Sequence, residues 1–254
     1  MLTREPTDYN MPLTIGSGIT VGGGVNITSI APPQIIQSGL LINLQTAPTS
    51  GSTWPSQTGS NNTTIVSPGN VAYVSQYGGG LRISTKNTAY FDTGVTAATL
   101  ANTFTISMTV AFNQTQTYWA TWWGSDSYTA NQGYLGYQSG ALTFTFGSPT
   151  GGITFTHSTI GANIANVNVW DFTISGTTAN YFLNGVWKGV GVIGNPSSIG
   201  TANLYFASRH VNSGGGFTDT ATGVYYSMRV YNRALSNVEV STNYTTLKSI
   251  HGLP

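Results

Sequence analysis

Carboxylate pairs are the residues to look for first, because glycoside hydrolysis needs two of them close together. The chain has seven carboxylates, Glu5, Asp8, Asp92, Asp126, Asp171, Asp219 and Glu239. The aspartates are isolated in sequence, and Glu239 follows Ser236 at the spacing of a helix capping box, which gives it a structural role. The sequence therefore predicts no catalytic residues and no enzyme activity. Carboxylates that meet from separate loops stay open as an alternative.

Other catalytic constellations are also missing from the sequence. A Ser/His/Asp triad needs an oriented histidine, but His157, His210 and His251 are isolated and no Gly-x-Ser-x-Gly elbow is present. The absence of cysteine excludes a disulfide, a zinc–thiolate site and a cysteine nucleophile. His251 follows the last predicted helix, where a cation would complement the helix dipole, so we expect a structural role for it.

Two predicted loops combine aromatic rings with planar polar groups, the side chains that bind sugars. They are residues 124–132 and 208–212, and the predicted glycan-binding residues are Asp126, Tyr128, Asn131, Arg209, His210 and Asn212. The alternative is that most aromatic residues of the chain fill the core or a sheet face.

Calcium is the metal to consider, because it takes six to eight oxygen ligands and often uses loop carboxylates. Asp126 and Asp219 lie in predicted loops and could supply two of these ligands. We expect both to be solvated loop residues instead. The sequence therefore predicts no metal and no cofactor.

Composition narrows the possible partners. Only 6% of the 254 residues are charged, far below the usual ~25%, and the net charge is +1. A nucleic-acid binder needs a basic patch, so a nucleic-acid partner is not expected. No apolar run approaches the length of a membrane span, and the first residues lack the apolar region of a signal peptide. We therefore expect no membrane association.

Short alternating segments dominate the chain and predict strands. The clearest are Thr103–Phe112, with apolar residues at every second position, and Asn168–Ser175. Asn184-Gly185 predicts a type I′ hairpin turn, because both residues accept a positive φ. Further strands are predicted at residues 40–44, 71–74, 81–83, 89–91, 118–123, 133–138, 141–146, 153–157, 180–183, 186–187 and 204–207, with a loop at 47–62. This spacing is typical of an all-β, two-sheet antiparallel sandwich.

The segment Val224–Tyr231 predicts the last strand, with two different faces, and one short C-terminal helix follows it. Ser236 and Glu239 form the predicted capping box at the start of the helix. Leu235 and Val240 fit the hydrophobic staple of the same motif. The sequence therefore predicts a strand, a turn and a capped helix at the end of the chain.

Residues 1–35 differ from residues 36–254, which we take as the main domain. Apolar residues at odd positions alternate with glycines, and they are Ile15, Ile19, Val21, Val25 and Ile27. The segment is either a flexible glycine linker or an extended assembly arm with one apolar face. We expect the arm, which could add a strand to a sheet edge in another copy of the chain or in a different protein.

The segment Met228–Val240 resembles the closing signature of laminin-G-like, concanavalin-A-like jelly-roll domains. Five further segments agree with that family in order, at residues 39–44, 79–91, 104–108, 170–175 and 181–185. The resemblance covers roughly residues 36–250 and implies a jelly-roll sandwich. One departure is the hairpin Ser84–Asn87, where the family usually has an aspartate.

Jelly-roll domains with a glycine-rich arm and no secretion signal resemble those of phage virion proteins, such as tail fibres, adhesins and capsid decorations. The resemblance thus implies a non-enzymatic structural protein of the virion, anchored by its arm. Its expected partners are other capsid or tail proteins and copies of itself. The alternative it implies is a carbohydrate-binding adhesin that recognises polysaccharide on a host surface.

Overall fold

The chain divides into two compact units, Met1–Pro33 and Gln34–Pro254. The computed structural model describes residues 19–21, 25–27, 34–58, 61–100, 102–113, 120–124, 133–138, 141–146, 152–156, 163–192, 203–211, 216–218 and 220–254. In the first unit, β1 (Ile19–Val21) pairs antiparallel with β2 (Val25–Ile27). Four of the five predicted arm residues lie on these strands, and Ile15 lies outside the described residues. Their role in assembly stays a prediction.

The first large sheet, sheet I, belongs to the second unit. Its described strands are β4 (Thr53–Trp54), β5 (Thr63–Val66), β8 (Tyr90–Thr96), β10 (Ala120–Gly124), β11 (Gly133–Gln138), β12 (Ala141–Phe146), β13 (Gly152–Thr156) and β17 (Asn203–Phe206). They are ordered β13-β12-β11-β10-β17-β8-β5-β4, and every described pairing is antiparallel. The strand β4 therefore lies at one edge of the sheet.

The second large sheet, sheet II, faces the first. Its described strands are β3 (Leu40–Leu44), β6 (Val71–Val74), β7 (Gly80–Ile83), β9 (Thr103–Phe112), β14 (Asn168–Ser175), β15 (Thr178–Leu183), β16 (Val186–Val192) and β20 (Gly223–Tyr231). Their order is β16-β15-β14-β9-β20-β7-β6, and β3 also pairs with β20. The predicted all-β fold of two antiparallel sheets is confirmed.

Smaller described elements complete the second unit. The strands β18 (Arg209–Val211) and β19 (Gly216–Thr218) form a separate pair. Short 3₁₀ helices span Pro68–Asn70, Gln76–Gly78 and Ala97–Leu100, and helix α1 spans Asn237–His251. None of these described helices has the length and apolar character needed to cross a bilayer.

Trp54 belongs to the main core, the large cluster of buried apolar side chains that come from both sheets. The sequence predicts a loop around it, but Thr53 and Trp54 form a strand paired with β5, and Trp54 is fully buried. Its ring packs edge to face against Phe91, with ring centroids 5.7 Å apart. The loop prediction is wrong at these residues because the large ring fills the core instead of facing solvent.

The strand β20 is central to sheet II. It pairs with β9 on one side and with β7 and β3 on the other. The register with β9 shifts between Tyr225 and Ser227, so Tyr225 joins the main core together with Met228 and Val230. The simple alternation predicted for this strand is therefore wrong at its first residues. Both faces are buried, because sheet I covers one and helix α1 covers part of the other.

Helix α1 begins with the predicted capping box, which is confirmed. The Glu239 amide donates to Ser236 Oγ at 3.3 Å, and Glu239 Oε2 accepts from the Ser236 amide at 2.9 Å. Arg233, which the sequence did not single out, donates Nη1 to Glu239 Oε2 at 3.0 Å. Chiefly because of the Arg233 hydrogen bonds, the pKa of Glu239 falls to about 2.

The apolar face of helix α1 packs on the outer face of sheet II. Val240 contacts a cluster with Phe182 and Tyr231, and Leu247 contacts one with Val169. The predicted Asn184-Gly185 turn is confirmed by φ values of 52° and 74°. Gly185 lets the helix approach, because a Cβ there would lie 2.8 Å from the Tyr244 Cβ.

His251 departs from its predicted place. It is the last residue of helix α1 instead of following the helix, and it is only 3% exposed. Burial lowers the pKa of its ring, and the nearby charge of Arg229 acts in the same direction. The predicted structural role of His251 agrees with its burial and its contact with Tyr77. The predicted cation at the helix end is wrong, because burial favours a neutral imidazole.

Candidate functional site

The predicted glycan-binding loops give little geometry. Asp126, Tyr128, Asn131 and Asn212 lie outside the described residues, as does Asp219 of the possible calcium pair. Of the predicted glycan-binding residues, only Arg209 and His210 have a described backbone. They lie on β18 opposite Thr218 and Phe217, and their side chains are not described. This site stays a prediction.

The described carboxylates of the second unit lie on three different elements. Asp92 Oδ1 accepts from the Gly94 amide and from Asn203 Nδ2, each at 2.9 Å. Asp171 is fully buried in β14, and Glu239 caps helix α1. Among the described residues, no three histidine or acidic side chains form a group that could hold a metal.

A cleft of about 350 Å³ opens between β5 of sheet I and the β6 edge of sheet II. Its apolar lining comes from β5, β6 and β7, through Ile65, Val71 and Leu81. Ile65 and Leu81 belong to the main core, so the cleft opens onto the gap between the sheets. The volume is at the lower end of the range for small-molecule sites.

Tyr73 forms the aromatic part of this cleft. It lies on β6 opposite Leu81, and 41% of its surface is exposed. The ring lies against Gly79, where an added Cβ would be 2.7 Å from the phenol oxygen and 3.1 Å from the ring. Gly79 also has a φ of 100°, which favours glycine. The bare glycine thus allows the ring to rest on the backbone at the mouth of the cleft.

The other wall of the cleft is polar and uncharged. It is the segment 48–52, which contributes the exposed hydroxyl residues Thr49, Ser50 and Ser52. The Ile65 amide donates to the Ser52 carbonyl at 2.8 Å and ties this wall to β5. Among the described residues that line the cleft, none has a charged side chain. Such a cleft suits a neutral ligand that has both an apolar face and hydroxyl groups.

Sequence reasoning missed Tyr73, although it predicted the bounds of β6 correctly. The alternation of a strand cannot show that the strand will lie at a sheet edge, where an inward-facing ring remains accessible. A usable signal was the run Gly78-Gly79-Gly80 directly after Tyr77. Consecutive glycines beside a strand indicate close approach of another group to the backbone.

A separate group of exposed apolar residues lies on β16, at the edge of sheet II opposite β6. It consists of Val186, Trp187, Val190 and Val192. The register with β15 shifts there, so that Lys188 is an extra residue between paired positions. A bulge and a lysine are devices that discourage another strand from joining an edge. This edge is therefore poorly suited to strand addition.

Comparison with solved structures identifies proteins that share the fold of this chain. No family model matches the chain, and no curated protein sequence matches it. A sialidase of Trypanosoma rangeli superposes with a TM-score of 0.63 and 14% identity, covering 94% of this chain and 36% of the sialidase. This chain has a β-sandwich fold. It spans about a third of the length of the sialidases it matches.

Two other solved structures have the same fold. Domain 4 of AbnA, a GH43 extracellular arabinanase from Geobacillus stearothermophilus, was solved in complex with arabinotriose. It matches with a TM-score of 0.60 and 16% identity over 82% of this chain and all of that domain. The binding domain of botulinum neurotoxin serotype D/C matches with a TM-score of 0.62 and 14% identity, over 82% of this chain and 52% of that one.

Proposed function

We propose that this chain is a non-catalytic carbohydrate-binding module whose edge cleft takes a neutral saccharide. The observation that carries the proposal is the half-exposed ring of Tyr73, seated on Gly79 at the mouth of an uncharged cleft. The matching domain solved with arabinotriose supports it, since a domain of this fold can serve saccharide binding.

The chemistry of the cleft fits a sugar ring. The aromatic face of Tyr73 is a large apolar surface with a hydroxyl at its end, so it can stack on the C–H face of a sugar while the hydroxyl donates or accepts. The hydroxyls of segment 48–52 can bond to sugar hydroxyls from the other wall. The part of the lining that the structure describes has no charged side chain to pair with a sugar carboxylate. We therefore expect neutral saccharides to be preferred over acidic ones.

Tyr73→Ala is expected to weaken saccharide binding at least tenfold, roughly 1.4 kcal/mol, because it removes the stacking surface. A glycan array on the full chain identifies the ligand, and calorimetric titration measures Kd. Tyr73→Phe keeps the ring and is expected to bind within a few-fold of the wild type. Gly79→Ala should also weaken binding, since the new Cβ displaces the ring.

Trp187→Ala is the matched control for this experiment. Trp187 is 48% exposed, but it lies on the opposite edge strand of the same sheet. Its replacement should leave Kd unchanged. The proposal fails if the array shows no bound saccharide, or if Tyr73→Ala binds as tightly as the wild type.

A place in a virion extends the proposal, with the saccharide on a host surface and the segment 1–35 attached to other capsid or tail proteins. This part rests on the sequence resemblance. Deleting residues 1–30 is expected to abolish particle association while the second unit stays folded, because the predicted apolar arm is lost. Electron microscopy and immunoblotting of purified particles measure incorporation, and circular dichroism measures folding. Normal incorporation of the truncated chain would contradict the assembly role.

A further inference from the structure

The turn between β6 and β7 has an unusual backbone. Tyr77, Gly78 and Gly79 are consecutive and all have positive φ values, 51°, 77° and 100°. A tyrosine in the left-handed region is uncommon, because its side chain crowds the backbone there. Neighbouring groups must therefore hold Tyr77 in this conformation.

The end of helix α1 supplies those contacts. His251 Nδ1 lies 2.9 Å from the Tyr77 carbonyl oxygen. Because a carbonyl only accepts, Nδ1 carries the proton and donates it. The Tyr77 ring packs edge to face on Tyr226 at 5.5 Å, and Tyr226 in turn packs on His251 at 6.4 Å. The helix end and Tyr226 thus hold the turn together.

The same turn supports the cleft. Gly79 follows Tyr77 by two residues and forms the surface on which the Tyr73 ring rests. A change in the conformation of Tyr77 would move the Gly79 backbone, and with it the position of the ring. Gly78 lies against the helix end as well, since an added Cβ would be 3.5 Å from the Ile250 carbonyl oxygen. Contacts therefore connect helix α1, the turn and Tyr73 in series.

We infer that His251 is a positioning residue for the cleft: it fixes the Tyr77–Gly79 turn and thereby the ring of Tyr73. The expected effect of His251 on saccharide affinity rests on the proposed function. Its effect on the position of the turn and of the Tyr73 ring does not, because both can be observed without a ligand. The inference also gives the C-terminal helix an indirect role in binding, although none of its residues is among the described residues that line the cleft.

His251→Leu and His251→Asn form the test. Leucine fills the space but cannot donate, whereas the asparagine Nδ2 lies near the position of Nδ1 and can donate to the Tyr77 carbonyl. In the full chain, His251→Leu is expected to raise Kd for the array-identified saccharide at least about fivefold, the effect of one hydrogen bond. His251→Asn should restore most of the affinity. In the Tyr73→Ala background, His251→Leu should add little, because both act through the same ring.

Nuclear magnetic resonance of the free protein separates the two proposals. His251→Leu should shift the Tyr73 ring and Gly79 amide signals, while His251→Asn should leave them near their wild-type positions. If no saccharide binds, the proposed function fails and these shifts still test the coupling. His251→Ala removes the donor without introducing a larger apolar side chain and gives the same readout if His251→Leu does not fold. Unchanged Tyr73 and Gly79 signals in the folded variants would overturn the inference.

Discussion

Replacing Asp171 by asparagine is expected to raise the free energy of unfolding at pH 8 by as much as about 3 kcal/mol and to change it little at pH 4. Asp171 is fully buried in β14, and burial raises its pKa from 3.8 to about 6. The neighbouring Ser107 hydroxyl and the charge of Arg229 act in the opposite direction without cancelling the effect of burial.

The direction of this change in stability follows from the protonation state of Asp171 that the folded protein favours. Because the folded pKa is the higher one, the stability that protonated Asp171 contributes is complete below about pH 4. It is lost as the pH rises through about 6. Asparagine cannot ionise, so the variant does not suffer this loss. Urea unfolding of both proteins at several pH values between 4 and 8 measures the difference.

Other titrating groups do not disturb this comparison. His251 and Glu239 also have shifted pKa values, but both proteins contain them, so their contributions cancel in the difference. The measurement at pH 4 is the internal control, since residue 171 of the folded protein is then uncharged in both. A difference in stability that does not vary with pH would contradict the assignment of the shift to Asp171.

Asp171 belongs to a row of polar residues across four strands beneath helix α1. Asn43 lies opposite Arg229, Arg229 opposite Ser107, and Ser107 opposite Asp171. All four side chains are buried. Arg229 Nη1 donates to Ser227 Oγ at 3.3 Å, but its Nε and Nη2 have no hydrogen-bond partner among the described residues. Burial lowers the pKa of Arg229 to about 10, although nearby groups oppose the shift.

Arg229→Met is expected to stabilise the Asp171→Asn variant further, by about 1–4 kcal/mol, because it replaces a poorly bonded buried charge by an apolar chain of similar length. In the wild-type background the same change should be less favourable. It leaves the Asp171 carboxylate without its nearby cation, so the pKa of Asp171 should rise above about 6.

A double-mutant cycle with urea unfolding at pH 8 measures this coupling. Ser227→Ala serves as a control for losing the single hydrogen bond of Arg229, since it keeps both charges in place. Equal effects of Arg229→Met in the two backgrounds would show that Asp171 and Arg229 do not interact. That result would contradict the electrostatic account of the row.

Local patterns in the sequence were enough to predict much of the fold. The bounds of β9 and β14 agree with the alternation of apolar residues, because one face of each strand lies on the main core. The helix start was predictable since the Ser236–Glu239 capping box acts within four residues. Features that depend on neighbours close in sequence are the ones that sequence reasoning could find.

Features that depend on distant segments could not be found in the same way. Ser107, Asp171 and Arg229 occupy the polar face of their strands, which local alternation assigns to solvent. Helix α1 and the segment 34–40 cover that face, and the sequence does not show where they pack. Tyr73 differs from these residues in the opposite way. It is on the inward face of its strand, yet it stays accessible to solvent because β6 lies at a sheet edge.

The central place of β20 has a consequence for how the protein is made. The strand β20, which separates β9 from β3 and β7, is synthesised after all three of these partners. Until residues 223–231 emerge, sheet II has a gap in its middle, and its most distant pairing joins residues 40–44 to residues 228–231. Such long-range closure makes folding slow. The centre of sheet II therefore cannot form before residues 223–231 are available, and chains that end before β20 would expose unpaired apolar strands that favour aggregation.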